Sequence, residues 1–264
     1  MKEPDSFFFC AGGWGASFYI GVVKAIYERW GKEYCSKCKY GGNSAGSIIA
    51  LAMALNYDFN YIETLWLKII NKSQNDIFLR NVSGYQNEII DGLLKKDDYL
   101  KLNGRLFIGV TNFKSKYTII SHWNNNNELK KTLFGSMYIP FYSKKIKIKK
   151  KPVLDGAFSR NYHKINDRTL IISVSKYAGG HILSEPNFTL KELSISPKLV
   201  DYYKYRDRGY NSLLNWNQKY KELPVKKYKD VHLNILWKLA YMHDIKFFSQ
   251  LTLGVFILRK LINK

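Results

Sequence analysis

A glycine-rich segment at residues 41–46, Gly-Gly-Asn-Ser-Ala-Gly, constrains the fold of this chain more than any other stretch. Its spacing, Gly42-x-Ser44-x-Gly46, fits a nucleophile elbow, a sharp turn from a strand into a helix that holds a serine hydroxyl in a cleft. Small neighbours suit that turn, because the serine is strained and larger side chains would clash with the strand and the helix. Ordinary tight turns also produce this spacing, so the rest of the chain has to decide between them.

The residues that follow Ser44 support the elbow. Residues 47–55 contain helix formers without Gly or Pro, and they are apolar nearly all round. That pattern is typical of a helix buried against a sheet. We therefore expect Ser44 at the start of a buried helix, where free N–H groups and the positive end of the helix dipole lie.

A second glycine-rich loop follows the first apolar segment. Residues 6–10 predict a buried strand, and residues 17–30 have helical spacing, with Gly31 expected to end the helix. Such a layout presents backbone N–H groups to an anion. The loop lacks both Gly-Lys-Ser/Thr and the G-x-G-x-x-G spacing, so it fits an oxyanion loop better than a phosphate or dinucleotide site. Its candidate donors are Gly12, Gly13 and Trp14.

Strand and helix patterns alternate along most of the chain, which predicts an α/β layered core with a mainly parallel sheet. Further strand patterns occupy residues 105–112, 116–121 and 169–174. Helix patterns occupy residues 58–73 and 201–220, and the asparagine run at residues 124–127 is expected to be a loop.

Lysines dominate residues 144–151, where they fill six of eight positions and two isoleucines alternate with them. The alternation predicts a strand with one charged face, either an edge strand protected by lysine or a basic rim beside a functional site. An apolar strand then leads into Asp155-Gly156-Ala157. A catalytic carboxylate would be placed at such a strand end, although Asp-Gly is also a common turn.

The composition is strongly basic, with 42 Lys and Arg against 21 Asp and Glu and a formal net charge of +21. This charge favours nucleic acid, an anionic membrane or an acidic ligand as a partner, although abundant Lys, Asn, Ile and Tyr point to compositional bias as well. No zinc-finger spacing or RNA-binding signature is found, so we expect no nucleic-acid partner.

The chain has three cysteines, and this odd number argues against a disulfide framework and for a reducing compartment. Cys35-x-x-Cys38 has no second pair with which to complete a zinc site. We expect two reduced surface thiols there.

The glycine loop, the elbow and Asp155-Gly156-Ala157 together resemble the patatin-like phospholipase family. The resemblance covers roughly residues 7–214 and implies a three-layer α/β/α sandwich of the patatin type with a mainly parallel central sheet. Within the family, several segments are similar to the adiponutrin and adipose triglyceride lipase branch: residues 8–14, 19–22, 136–142, 155–161, 171–175 and 208–210. The chain departs from the family pattern at Ala11 and Ala16, where glycine is usual, and at Trp14.

The resemblance also implies a reaction, the hydrolysis of lipid acyl esters by a Ser-Asp dyad without histidine. Ser44 would attack the ester carbonyl and Asp155 would accept its proton. Backbone N–H groups of the glycine loop would bind the oxyanion, and no metal or other cofactor is required. The expected partners are a phospholipid or acylglycerol substrate and an anionic membrane or lipid-droplet surface.

Two other interpretations stay open at this point. A Ser-His-Asp hydrolase would use His163 or His181 as its base. A non-catalytic basic protein would keep the scaffold and bind membranes. Because both catalytic positions are occupied, we favour an active enzyme.

The expected organisation is a patatin-like domain over residues 6–220 and a basic, apolar helical tail over residues 221–264. The apolar stretch at residues 247–258 has twelve residues, fewer than the roughly 20 that a transmembrane helix needs. We therefore expect peripheral membrane association. The N-terminus lacks a secretory signal pattern, so we also expect an intracellular location.

Overall fold

The computed structural model describes residues 2–74, 78–112, 116–139, 146–159, 162–175 and 179–217. The predicted tail at residues 221–264 lies outside the described residues. The strands are β1 (Ser6–Phe9), β2 (Lys39–Gly42), β3 (Leu106–Asn112), β4 (Tyr117–Ile120), β5 (Lys147–Ile148), β6 (Lys151–Asp155), β7 (Thr169–Ser173) and β8 (Ile182–Leu183). The helices are α1 (Ala16–Ser36), α2 (Ala45–Ala54), α3 (Phe59–Gln74), α4 (Phe78–Leu93), α5 (Asp98–Leu102), α6 (Asn126–Ser136), α7 (Leu190–Ser194) and α8 (Leu199–Leu214).

The strands form one sheet with the hydrogen-bonded path β5–β6–β3–β2–β1–β7–β8, and β4 pairs with β3. Strand β1 is parallel to β2 and β7, β2 is parallel to β3, and β7 is parallel to β8. The antiparallel pairs are β3 with β4, β3 with β6, and β5 with β6. The prediction of an α/β fold with a mainly parallel central sheet is therefore confirmed.

Strand β3 holds two strands in succession along one of its edges. Ile108 pairs with both β2 and β4, whereas Val110 pairs with both β4 and β6. Since a strand has only two edges, β2 and β6 must share the edge opposite β4. Strand β2 runs parallel to β3 and β6 runs antiparallel to it, so their C-terminal ends point towards each other near Gly109. The residue that ends β6 is Asp155.

The core explains why β1 is aromatic from Phe7 to Phe9. Phe7 and Phe9 belong to the main cluster, which also holds apolar side chains of α1, α2, α3, α4, α6 and α8. Phe8 points to the other face and packs with Tyr162 and Ile171. Because both faces of this central strand are covered, the three residues that follow Ser6 are all apolar.

The helical conformation of α1 is interrupted at Gly31, where the sequence predicts that the helix ends. Gly31 forms a kink with φ +75° and ψ 156°, and the helix resumes as far as Ser36. Glycine adopts this conformation without a Cβ clash. The segment beyond the kink is held by tertiary contacts, since Cys35 is buried and the Tyr34 hydroxyl donates to the Pro4 carbonyl at 2.9 Å.

Half of the predicted asparagine loop is helical. Asn125 caps α6 by accepting a hydrogen bond from the Glu128 N–H at 2.9 Å, and the helix begins at Asn126. Asparagine is among the best N-cap residues, so a run of asparagines can start a helix as well as form a loop.

From residue 146 onwards, where the structure describes it, the lysine-rich segment forms a hairpin rather than one continuous strand. Strands β5 and β6 are antiparallel, with Lys147 opposite Pro152. The two residues between them, Lys149 and Lys150, have φ +48° and +63°. A two-residue hairpin turn of this type needs positive φ at both positions, which asparagine and glycine usually supply.

The free cysteines Cys10, Cys35 and Cys38 are all buried, so the predicted surface location of Cys35 and Cys38 is wrong. Cys10 directly follows β1, whereas Cys35 and Cys38 lie where the end of α1 meets the start of β2. Burial raises the pKa of the Cys35 thiol to about 11 and that of the Cys38 thiol to about 12. Both thiols therefore stay protonated near neutral pH.

Helices α1 and α8 cross at two glycines. A Cβ atom added to Gly21 would lie 1.7 Å from the Arg206 carbonyl oxygen, and one added to Gly209 would lie 1.9 Å from the Phe18 carbonyl oxygen. The two backbones are thus in direct contact, and α8 is fixed to the helix that follows the glycine loop. Within the described ranges, no helix combines the length and the apolar character needed to cross a bilayer.

We expect Gly209→Ala to lower the thermal stability of the protein. Alanine favours a helix over glycine by about 1 kcal/mol, but overpacking at this crossing costs about 1–3 kcal/mol or more. With ~2–4 °C of Tm per kcal/mol in a domain of this size, a fall of several degrees should follow. Thermal unfolding measures it, with Asn211→Ala on the exposed side of α8 as the matched control. An unchanged or raised Tm for Gly209→Ala would contradict the close crossing.

Candidate active site

Ser44 lies between β2 and α2, in the strained conformation that the elbow motif predicts. It has φ +51° and ψ −134° and directly precedes the first residue of α2. Gly42 and Gly46 flank the serine, and the close contact between strand and helix leaves no room for a side chain at either position. A Cβ at Gly42 would lie 2.4 Å from the Gly46 carbonyl oxygen, and one at Gly46 would lie 2.3 Å from the Phe9 carbonyl oxygen. Only residues without side chains allow the strand and the helix to approach so closely.

The backbone N–H of Ser44 is held by the end of α6. It donates to the Ser136 hydroxyl at 3.0 Å and to the Ser136 carbonyl at 3.2 Å. The Ser136 hydroxyl in turn donates to the Gly109 carbonyl at 2.7 Å. Ser136 was not identified as a site residue from the sequence. Its only signal was its position in the segment 136–142 that resembles the patatin family.

Asp155 lies opposite the elbow. It ends β6, which follows β2 along the same edge of β3. Its side chain is 3 % exposed and accepts a hydrogen bond from the Ala157 N–H at 2.9 Å, and the Ser44 hydroxyl lies close enough to lower the pKa of the carboxyl. Gly156 is needed for this approach, since a Cβ there would lie 2.5 Å from the Gly109 carbonyl oxygen. The structure thus brings Ser44, Asp155, Gly156 and Ala157 together.

The backbone of Asp155 is anchored on both sides. Its N–H donates to the Tyr138 carbonyl at 2.9 Å, and its carbonyl accepts from the Thr111 hydroxyl at 2.8 Å. The Thr111 hydroxyl also lies 2.7 Å from the Ser159 hydroxyl. These contacts fix the backbone of Asp155 relative to β3. Only the side chain of Asp155 can then adjust its position relative to Ser44.

Burial dominates the electrostatics of Asp155. Removal from water disfavours the charged form and raises the pKa of the carboxyl from 3.8 to about 7. The hydrogen bonds from Ser44 and Ala157 act in the opposite direction, because they stabilise the carboxylate. The result is a carboxyl group that can both accept and release a proton near neutral pH.

The glycine loop forms a short 3-10 turn, Gly13–Gly15, that packs against the start of α2 and against α7. The Gly15 N–H donates to the Gly12 carbonyl at 2.8 Å. Gly13 has φ +49°, and a Cβ there would lie 2.3 Å from the Leu193 carbonyl oxygen. In the described part of the chain, the N–H groups of Gly12 and Gly13 donate to no protein acceptor.

The backbone of Trp14 belongs to the glycine loop, whereas its side chain is buried in the core. Its ring is 5 % exposed and meets the Trp66 ring edge-on, with 5.8 Å between the centroids. Its carbonyl accepts from the Ser17 hydroxyl at 3.0 Å, at the start of α1. The buried indole therefore anchors the loop between α1 and α3.

The two candidate histidines lie on other parts of the sheet. The Nδ1 atom of His181 accepts from the Ile171 N–H at 2.9 Å, and the His163 ring packs edge-on against Phe8. Among the described residues, neither ring hydrogen-bonds to Ser44 or to Asp155. The structure therefore brings neither His163 nor His181 to the elbow.

Metal ligands were also considered. The residues that the structure describes contain no group of three or more His, Cys, Asp or Glu side chains placed to hold an ion.

A family model described as patatin-like phospholipase matches residues 7–163 of this chain. The chain belongs to the patatin-like phospholipase family. Its fold, a mixed α/β structure around a mainly parallel sheet, is the patatin fold. Membership supports a lipid hydrolase activity, and it extends over the elbow, the glycine loop and the Asp155 segment.

Several solved structures match this chain at low identity. VipD from Legionella pneumophila matches with 14% identity and a TM-score of 0.47, over 65% of this chain and 50% of VipD. The type III effector ExoU matches with 11% identity and a TM-score of 0.45, over 86% of this chain and 55% of ExoU. A chain of the ExoU–SpcU complex of Pseudomonas aeruginosa matches with 13% identity and a TM-score of 0.44, over 98% of this chain and 61% of that one.

The patatin-like chain therefore spans between 50% and 61% of the length of these structures. No curated protein matches its sequence.

In this patatin-like chain we expect the Asp155 carboxyl to titrate near pH 7. Infrared difference spectra of the wild type minus Asp155→Asn, recorded across pH, isolate this one carboxyl. Ser44→Ala should raise its pKa further, because the serine hydroxyl bonds to the carboxylate and lowers the pKa. Ser47→Ala is the matched control, since that hydroxyl donates to the Ser44 carbonyl at 2.6 Å instead. Titration of the folded wild type near the ordinary value of 3.8 would contradict the buried environment.

Proposed function

We propose that this protein hydrolyses lipid acyl esters as a phospholipase A or acylglycerol lipase, with Ser44 as nucleophile and Asp155 as its base. The observation that carries the proposal is the placement of the Ser44 hydroxyl beside the buried Asp155 carboxyl, close enough to lower the pKa of that carboxyl. Family membership supports the substrate class. A nucleophile and a base within hydrogen-bond reach are the basic requirement of covalent acyl transfer.

In the first half of the reaction, the Ser44 Oγ atom attacks the ester carbonyl while Asp155 takes the hydroxyl proton. The tetrahedral intermediate then collapses, and Asp155 gives the proton to the departing alcohol. In the second half, water attacks the acyl-enzyme, Asp155 accepts its proton, and Ser44 is released as the hydroxyl. A carboxyl with a pKa of about 7 suits both transfers, because it is neither too weak a base nor too weak an acid.

The oxyanion of each intermediate is assigned to the glycine loop and the start of α2. The candidate donors are the backbone N–H groups of Gly12, Gly13 and Trp14, with that of Ala45 beside them. The loop packs against α2, whose N-terminus also favours negative charge. Loss of one such donor typically slows the reaction by ~10²–10³-fold.

We also propose an anionic membrane or a lipid-droplet surface as the site of action, in keeping with the resemblance to the adiponutrin and adipose triglyceride lipase branch. The supporting features are the net charge of +21 and the lysine-rich segment that leads to Asp155. The proposed catalytic domain is residues 6–220, followed by a basic tail at residues 221–264. An intracellular, peripheral location fits the same features.

We expect Ser44→Ala and Asp155→Asn each to lower ester hydrolysis by at least ~10³-fold, because each removes a reacting group. Wild-type kcat/KM should fall below a pH of about 7, as Asp155 becomes protonated and can no longer accept a proton. Lipid-class turnover assays and labelling by a fluorophosphonate probe measure these effects.

His163→Ala and His181→Ala are the controls for the dyad and should retain most of the activity. A folded His163→Ala or His181→Ala protein as inactive as Ser44→Ala would replace the dyad by a Ser-His-Asp triad. An active Ser44→Ala protein would reject the proposed function altogether.

We expect Ser136→Ala to lower kcat by ~10-fold or more with little change in KM. The substitution removes an acceptor for the Ser44 N–H and the donor to Gly109, so the nucleophile shifts while lipid contacts remain. Fluorophosphonate labelling of Ser44 should slow in parallel.

Thr132→Val is the matched control for Ser136→Ala. Thr132 is also a buried hydroxyl on α6, but it accepts from Trp123 Nε1 at 2.9 Å instead of contacting the elbow. It should lower Tm without changing kcat. Equal kcat losses in the two variants would assign Ser136 a merely structural role.

A further inference from the structure

Helix α7 is unusual because none of its five residues is buried. Short helices normally persist through the burial of an apolar side. Here a capping box defines the helix, since the Thr189 hydroxyl accepts from the Glu192 N–H and the Thr189 N–H donates to the Glu192 carboxylate at 2.7 Å. The chain thus maintains an ordered helix in which Leu193 packs partly against the core and Leu190 stays in solvent.

Exposed apolar residues continue from α7 through the short connection into the first turns of α8. Leu190 is 83% exposed, Ile195 is 54% exposed and Val200 is 72% exposed. We call the whole set the apolar face: Leu190, Ile195, Leu199, Val200 and Tyr203. Such a concentration of exposed large side chains usually marks an interaction site.

Hydrogen bonds hold the apolar face in place. The Tyr205 hydroxyl on α8 donates to Glu192 on α7 at 3.1 Å. The connection between the helices is fixed to the end of α3, where Ser73 donates to the Ser196 hydroxyl at 2.6 Å and Gln74 donates to the Pro197 carbonyl at 2.8 Å. These side chains are therefore presented on a fixed support.

The apolar face adjoins the glycine loop. The Leu193 carbonyl of α7 lies directly against Gly13, and the Leu193 side chain lies against Gly15. The segment before α7 is anchored at the end of β7, where the Phe188 N–H donates to the Val174 carbonyl at 3.5 Å. The face is thus at the C-terminal edge of the parallel strands, the edge where β2 leads into Ser44.

Exposed lysines lie among the residues of the apolar face. Lys191, Lys198 and Lys204 are exposed among its residues, and the nearby acidic groups are Glu192 and Asp201. Glu192 is already engaged by Thr189 and Tyr205.

The lysine hairpin lies at the same edge of the sheet. Val153 of β6 pairs with Asn112, the last residue of β3, so Lys149 and Lys150 extend beyond that strand end. Basic groups therefore lie on both sides of the candidate active site.

We propose that the apolar face and its lysines dock the protein onto an anionic lipid surface, with the Ser44 site directed at that surface. This inference rests on the proposed function, because a lipid hydrolase must reach substrate that is held in a membrane or droplet. The apolar side chains enter the acyl region, and the lysines meet the headgroup phosphates and carboxylates. This combination of exposed apolar and basic side chains matches the two layers of an anionic lipid interface, the apolar acyl chains and the charged headgroups.

The test measures binding of the full-length chain to phosphatidylcholine vesicles with and without phosphatidylserine. All proteins carry Ser44→Ala, so binding is measured without turnover and does not depend on the proposed reaction. The apolar variant combines Leu190→Ser, Ile195→Ser and Val200→Ser, and the charge variant combines Lys191→Gln, Lys198→Gln and Lys204→Gln. The matched control is Leu100→Ser, which alters a 62% exposed leucine on α5. Leu100 lies six residues before the start of β3 and so at the opposite edge of the sheet.

We expect both triple variants to bind phosphatidylserine vesicles ~10-fold more weakly or worse, and Leu100→Ser to bind like its parent. Binding should weaken with added salt, because screening shortens the reach of the lysines to ~8 Å at physiological ionic strength. Undiminished binding of the triple variants, or an equal loss in Leu100→Ser, would overturn the proposal.

Two further outcomes would also overturn it. A large fall in Tm for the apolar variant would mean that residues 218–264 cover the face. A concentration-dependent dimer that is lost in the apolar variant would assign the face to a second copy of the chain.

Discussion

Strand β3 offers one edge to two strands that run towards each other, and the geometry of the site depends on that arrangement. Strand β2 occupies the first part of the edge and leads into Ser44, while β6 occupies the second part and ends at Asp155. Neither strand can lengthen without displacing the other. The distance between serine and carboxylate is thus set by backbone hydrogen bonds, and glycines at the junction allow the close approach that side chains would prevent.

The same junction accounts for the protonation behaviour of the carboxyl. A strand end inside the sheet is poorly hydrated, and a charged group there is unfavourable unless donors compensate for the lost water. Asp155 has such donors, from Ser44 and from the turn that follows it, yet burial still outweighs them. Anchoring of its backbone by Thr111 and Tyr138 prevents the carboxyl from turning towards solvent to relieve this penalty. The anchored strand end therefore both makes this part of the sheet rigid and raises the proton affinity of the carboxyl.

Much of the fold could be predicted, because buried strands and the helix after the elbow have strong local patterns. Where prediction failed, a distant contact or an alternative local preference decided the outcome. Gly31 interrupts the helix as predicted, but tertiary contacts hold a second helical segment beyond it that the sequence did not indicate. Lys149 and Lys150 fit a strand by periodicity, but pairing of their neighbours forces them into a turn. The elbow and the acidic strand end were visible in the sequence, and their catalytic roles stay predictions. Ser136 and the apolar face depend on contacts across the fold, which no local pattern encodes.

The burial of all three cysteines has a practical consequence for experiments on this protein. Because burial keeps the thiols of Cys35 and Cys38 protonated and out of solvent, the natural chain offers no ready target to maleimide or iodoacetamide reagents. A single cysteine introduced on the surface would then carry a spin label or fluorophore without prior removal of the native ones. Distances between such probes and a bilayer could be followed by spectroscopy in the otherwise unaltered chain.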